Sequence, residues 1–123
     1  MKWFGCGRIL ADIEEIKSIL KSIRKRRNKW RMSNRSKNIA TLRYLGITDE
    51  VAFDSIYNQL RYYDYVRGPE PDNHPKPIPG DIWIFGLVIS DEECYLKFQD
   101  KPSGIVMWIS IHKAIRPLSF PYK

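Results

Sequence analysis

The sequence contains no HExxH pair, no CxxC pair and no glycine-rich phosphate loop. Those absences remove the zinc-peptidase, thiol-redox and nucleotide-cradle readings. It has two cysteines, Cys6 and Cys94, far apart and in different surroundings, so neither a disulfide framework nor a zinc site is expected. No metal and no cofactor is expected. No apolar run approaches the roughly 20 residues that cross a bilayer, so no membrane partner is expected. Gly5-Cys6-Gly7 has a trace of a lipoprotein cleavage site. The apolar stretch of about 7–15 residues that a signal peptide needs is missing before it, and a cytoplasmic protein is the expectation. Acidic residues are also short: 14 against 21 lysines and arginines, a formal net charge of +7. That balance favours a polyanionic partner, nucleic acid or an acidic protein.

What the sequence does have is size, periodicity and a strand-rich C-terminal third. At 123 residues one domain, 1–123, is expected. Residues 8–27 read as one amphipathic helix, with Ile9, Ile13, Ile16, Leu20 and Ile23 on one stripe. Asp12, Glu14 and Glu15 near its start and Lys21, Arg24, Lys25, Arg26 and Arg27 near its end suit the helix dipole. The dipole explains the order of the charges and not their number, because basic residues continue through Lys29, Arg31, Arg35 and Lys37. Lys29–Met32 reads as a short edge strand. A second helix follows, capped by Ser33, Asn34 or Ser36, with Ile39, Leu42 and Leu45 facing the core and Gly46 ending it. Thr48 caps a third helix that buries Val51, Ala52, Ile56 and Leu60.

The segment from Gly68 to Gly80 holds five prolines, which exclude helix and central strand. Three strands are expected after it: Ile82–Ile89, Glu93–Gln99 and Ile105–His112. Alternation puts Cys94, Leu96 and Phe98 on one face and Tyr95, Lys97 and Gln99 on the other. In the last strand it groups Ile105, Met107, Ile109 and Ile111 against Val106, Trp108, Ser110 and His112. The helices must cover an apolar sheet face, giving an α+β layer. The tail after His112 is expected to be extended and to add a final edge strand.

A hairpin through residues 100–104 would make the last two strands antiparallel neighbours. A face with Tyr, Lys and His beside a basic helix end suits RNA. Rings stack on bases, cations hold phosphate, and a histidine moves a proton near neutral pH. RNA carries its own nucleophile, the 2′-hydroxyl, so cleavage needs only a base, an acid and positive charge on the phosphate. The plainer reading of the same face is a polar surface that meets water.

Three segments resemble the MqsR-type toxins of bacterial type II toxin–antitoxin systems, within the RelE-like superfamily. They are Asn38–Thr48, with its Leu45-Gly46-Ile47 junction; Tyr63–Asp72 with Asp81–Gly86; and Glu93–Phe98 with Ile109–His112. Phe120-Pro121-Tyr122-Lys123 is similar to the ending of MqsR-like relatives. The resemblance spans about residues 9–123. It implies a RelE-like fold, with N-terminal helices packed on a twisted antiparallel sheet formed mainly by the C-terminal third, and an mRNA endoribonuclease (interferase) that inhibits translation and is neutralised by a cognate antitoxin, with the ribosome as a further candidate partner. Carried over by position, Tyr95 matches the family's active-site tyrosine and Lys97 the lysine beside it. His112 stands where members carry lysine or histidine, and Arg67 where a functional lysine follows a tyrosine. Ile84 departs from the family, which has a functional glutamine after the strand tryptophan. On this reading His112 is the general acid or base, Tyr95 positions or relays, and Lys97 and Arg67 hold the phosphate. Arg31, Arg35 and Lys37 are candidates for RNA-backbone contact. The competing expectation is a non-catalytic module that binds nucleic acid or protein through the same basic surface.

Overall fold

In a computed structural model, which describes residues 2–4 and 8–123, the chain is α+β: three helices lie against a mixed sheet. Gly5-Cys6-Gly7 lies outside the described residues. The strands are β1 (Lys2–Phe4), β2 (Arg8–Leu10), β3 (Trp30–Met32), β4 (Tyr65–Glu70), β5 (Asp81–Ile89), β6 (Glu92–Asp100) and β7 (Val106–Lys113). Their order is β1-β2-β4-β5-β6-β7-β3. The main five, β4 to β3, are antiparallel except for β3, which runs parallel to β7. The sheet is therefore mixed rather than purely antiparallel. No helix among the described residues is long and apolar enough to cross a membrane.

Helix α1 spans Ile13–Lys25, shorter than the stripe suggested. Asp12 is its N-cap: its carboxylate accepts from the Glu15 backbone N–H, and the Glu15 side chain reaches back to the Asp12 N–H. An N-cap residue has extended φ/ψ, so the helix cannot begin earlier. Arg8–Leu10 instead pairs with β1. Ile16, Leu20 and Ile23 enter the core, where each stabilises by about 1.5–3 kcal/mol. They meet Leu96, Phe98, Trp108 and Ile111 from the sheet.

Helix α2 (Ser36–Leu45) begins after Arg35 without a side-chain cap and ends on Gly46, which is left-handed at φ 69°. The expected serine and asparagine caps are not used. Its apolar stripe is used in part: Leu42 and Leu45, half-buried, pack against the core as expected, Ile39 is exposed, and the two buried residues are Asn38 and Thr41. The reason is what α2 lies against. β3 pairs with β7 only through Trp108, and beyond that point α2 covers the open strand edge. A strand edge offers N–H and C=O groups, so polar side chains fit it. Asn38 donates to the carbonyls of Ser33 and Ile109 and accepts from the Ile111 N–H, and Thr41 accepts from the Lys113 N–H. Helix α3 (Asp49–Gln59) starts on Thr48 as expected and buries Ala52, Phe53 and Ile56, with Leu60 following; Val51 is exposed.

The three C-terminal strands fall within a residue of their expected limits. Pro69 is a correction: it lies inside β4. A register shift between Arg67 and Glu70 takes it out of the ladder, the place where a strand tolerates a residue without N–H. The rest of the proline segment folds against the sheet end. Gln99 donates to the carbonyls of Ile78 and Gly80, and Asp72 accepts from the Ile78 N–H and bonds His74. The tail after Lys113 adds no strand. It crosses the sheet as coil. Leu118 donates to Glu93, Tyr122 donates to the Ala11 carbonyl, and Lys123 pairs with Asp64.

Candidate nucleic-acid interface

Two β-bulges build the candidate site. In β4, Tyr65 pairs with Phe85 and Arg67 with Ile84, so Val66 is the extra residue. In β7, Trp108 pairs with Phe98 and Ser110 with Lys97, so Ile109 is the extra residue. Regular alternation would keep Tyr65 with Arg67, and Trp108 with Ser110 and His112, on one face each. A bulge inserts one residue and re-aims everything after it. Tyr65 and Trp108 thus stay fully buried in the core. Arg67, Ser110 and His112 come to the other face, beside Tyr95 and Lys97. The expected grouping of Trp108 with Ser110 and His112 is corrected accordingly.

On that second face lies a cleft of about 680 Å³. Arg67, Tyr95, Lys97 and His112 all line it, and so does Arg35, at the start of α2. Arg31 and Lys37 do not. Arg31 donates to the carbonyls of Asn28 and Trp30 at the sheet edge, and Lys37 is exposed on α2. Ser110 and Arg116 belong to the cleft as well. Ser110 was legible as a neighbour of His112. Arg116 carried no sequence signal, because only the course of the tail brings it there.

The rings of Tyr95 and His112 stack, with centroids 5.3 Å apart and planes 17° off parallel, as expected for directly opposed residues on β6 and β7. His112 Nδ1 lies 3.0 Å from the Lys113 carbonyl. A carbonyl can only accept, so Nδ1 carries a proton here, and in the neutral ring Nε2 is the nitrogen that keeps a lone pair. Arg35 donates to the Ser110 hydroxyl at 2.9 Å. Ile84, fully buried, is the register partner of both Arg67 and Lys97 and is not itself part of the cleft lining.

The lining carries four cations, Arg35, Arg67, Lys97 and Arg116, and no carboxylate. Glu70, just outside, offsets part of Arg67 through an ion pair at 3.4 Å. Burial pushes the Tyr95 pKa up, and the charges of Arg67 and Arg35 draw it only partly back. The phenol therefore stays protonated at neutral pH and acts as a hydrogen-bond donor. The tail supplies the apolar wall through Ile115, Pro117, Leu118 and Pro121. It can lie so close because Gly86, opposite Tyr95, has no side chain. A Cβ there would come within 2.5 Å of Leu118 Cδ1 and 2.8 Å of Phe120 Cζ. Among the described residues no group of three or more His, Cys, Asp or Glu is placed to hold a metal ion.

A cleft of this make-up can take a phosphate against its cations and a flat ring against its apolar wall or the Tyr95–His112 stack. Comparison of the chain with protein-family models, with curated proteins and with solved structures finds no match.

Proposed function

We propose that this protein is an endoribonuclease toxin of the MqsR type, with a RelE-like fold, acting on mRNA in the cytoplasm and restrained by a cognate antitoxin. One observation carries the reading: Arg67, Tyr95, Lys97 and His112, the residues the resemblance marks, come from three separate strands and meet in one cleft free of carboxylate. A chance polar face would not need two bulges to assemble it. The helices on one sheet face and the cleft on the other also suit the RelE-like expectation, although a fold alone never implies an activity.

The chemistry follows from the groups present. The RNA phosphate sits against Lys97, Arg67 and Arg35, whose charge favours the extra negative charge of the pentacoordinate transition state. His112 Nε2 takes the proton of the 2′-hydroxyl, which attacks the phosphorus. The departing 5′ oxygen needs a proton, and the Tyr95 phenol, held protonated by burial, donates toward it. Arg67 clamps phosphate with a planar fork where a lysine would place a point charge. Ile84 offers no hydrogen bond where the resembled family has glutamine, so base preference falls to the tail wall and the stacked rings.

The test uses a defined RNA, purified protein and EDTA. Discrete fragments ending in 2′,3′-cyclic phosphate are expected, with His112→Ala slowing their formation by about 10²–10⁴-fold. A non-catalytic binder would retard the RNA and leave it intact, and RNA left intact by the wild type would sink the enzymatic reading. Coexpression with an adjacent small open reading frame should relieve growth arrest.

A further inference from the structure

The cleft does not absorb the basic end of α1. That end opens onto a second groove of about 470 Å³, on the helical side of the sheet and so on the face away from the cleft. Lys17, Lys21 and Lys25 stand along it at four-residue steps, a rise of about 6 Å each. All three are exposed. Arg24, on the same helix, and Arg61, from the far side of the groove, lie close enough that Arg61, after burial, lowers the Arg24 pKa. Arg24 is held in place by the carbonyls of Tyr57 and Leu60, at the end of α3.

The pairing of charges separates this groove from the rest of the basic surface. Arg26 pairs with Asp100, and Arg27 with Glu50 and Asp54. Lys17, Lys21, Arg24, Lys25 and Arg61 are in no ion pair among the described residues. Five clustered cations without a counter-charge repel one another, which costs stability unless an anion fills the groove. The groove is also lined by two rings, Tyr57 and Tyr62, and Lys17 Nζ already lies 5.0 Å from the Tyr62 ring centre. An evenly stepped row of cations beside aromatic rings is the make-up of a track for single-stranded nucleic acid.

We infer that this groove binds a single-stranded stretch of the RNA substrate outside the cleft. The inference rests on the RNA reading of the cleft. Substrates long enough to pass round the sheet gain affinity here, while short ones that fill only the cleft do not. An acidic protein segment is the competing occupant, and the even step of the lysines together with the rings favours RNA over it.

The test is the triple variant Lys17→Gln/Lys21→Gln/Lys25→Gln, which spares Arg24 and its structural bonds, with the triple lysine-to-arginine variant as charge-preserving control. For an RNA of about 40 nucleotides, the glutamine variant should bind at least about tenfold more weakly. Its plot of log affinity against log salt should flatten by about 2, from roughly 0.7 per lost phosphate contact. The arginine variant should match the wild type. Cleavage of an oligonucleotide of about 6 nucleotides should be unchanged in both. Unchanged long-RNA affinity and salt slope in the glutamine variant overturn the inference, and direct binding of poly-L-glutamate that the glutamine variant loses then assigns the groove to an acidic protein segment. Groove-dependent binding without any cleavage would leave the inference standing and remove only the catalytic reading.

Discussion

Asn38 holds more backbone than any other side chain near the cleft, and Asn38→Ala gives the sharpest test of how β7 is kept in shape. Its amide makes three bonds of 3.0–3.1 Å, to the Ser33 carbonyl, the Ile109 carbonyl and the Ile111 N–H. The residue is fully buried. Alanine leaves those three groups without partners. The buried Ile111 N–H alone costs about 1–3 kcal/mol, and the two carbonyls less, because each has a second lone pair. A loss of about 3 kcal/mol is expected. A chain of 123 residues holds roughly 6–18 kcal/mol in all, so the protein should still fold. With a urea slope of about 1–3 kcal/mol per molar, the midpoint falls by roughly 1–3 M. Amide exchange at Ile111 should accelerate, and RNA cleavage should fall with it, because the Ile109 bulge is what aims Ser110 and His112 at the cleft. A loss below about 0.5 kcal/mol with unchanged exchange at Ile111 would refute the reasoning, since β7 would then keep its shape without the Asn38 amide.

Gly86→Val should push Leu118 and Phe120 off the sheet at a cost of about 1–3 kcal/mol, read as faster amide exchange across residues 114–123, while β5 and β6 keep their protection. Equal protection of the tail in variant and wild type would show that it does not rely on the gap at Gly86. Burial raises the Cys94 thiol pKa to about 11 from an ordinary 9.0. The folded state thus binds that proton more tightly, so stability is complete below pH 9 and drains away as pH rises toward 11. Tyr65, Tyr95 and Tyr122 are raised by burial too and add to the loss above about pH 10. Denaturation at stepped pH should show the fall, and Cys94→Ala should flatten its first part; an unchanged slope between pH 9 and 10 would contradict the thiol's share.

Much of the fold was legible because its signals are local. Thr48 and Gly46 end their helices through their own chemistry, and the alternation in β6 is regular from Cys94 to Gln99, so the Tyr95/Lys97 face could be read directly. β7 shows where such reading stops. Its apolar residues fall on both faces, and nothing in Trp108-Ile109-Ser110 marks Ile109 as the residue that the ladder skips. The same holds for Val66, so Arg67 came into view through family resemblance and not through alternation. α2 misled for a different reason. Its stripe puts Leu42 and Leu45 against the core correctly and Ile39 wrongly, but its most buried contact is a strand edge, which calls for asparagine and threonine. The tail's path depends on a missing side chain at Gly86, a signal that has meaning only once the two segments are known to cross.

The outer edge of β7 has a consequence for how the molecule assembles. Its inner edge zips to β6 across a five-residue turn, and β5 joins β6 through Ser90 and Asp91, both at positive φ, as a tight hairpin requires. The outer edge waits for Arg35, Asn38 and Thr41, whose partners lie 71–75 residues away along the chain. Closing so long a loop costs about 2 kcal/mol more than closing the turn, so the hairpins form first and the N-terminal third docks late. Until it docks, β7 presents an unsealed row of N–H and C=O groups to any other extended chain nearby. The polar face of α2 is therefore a lock on the folding route as much as a contact in the finished protein. The interval before it closes is when two refolding copies are most apt to pair with each other.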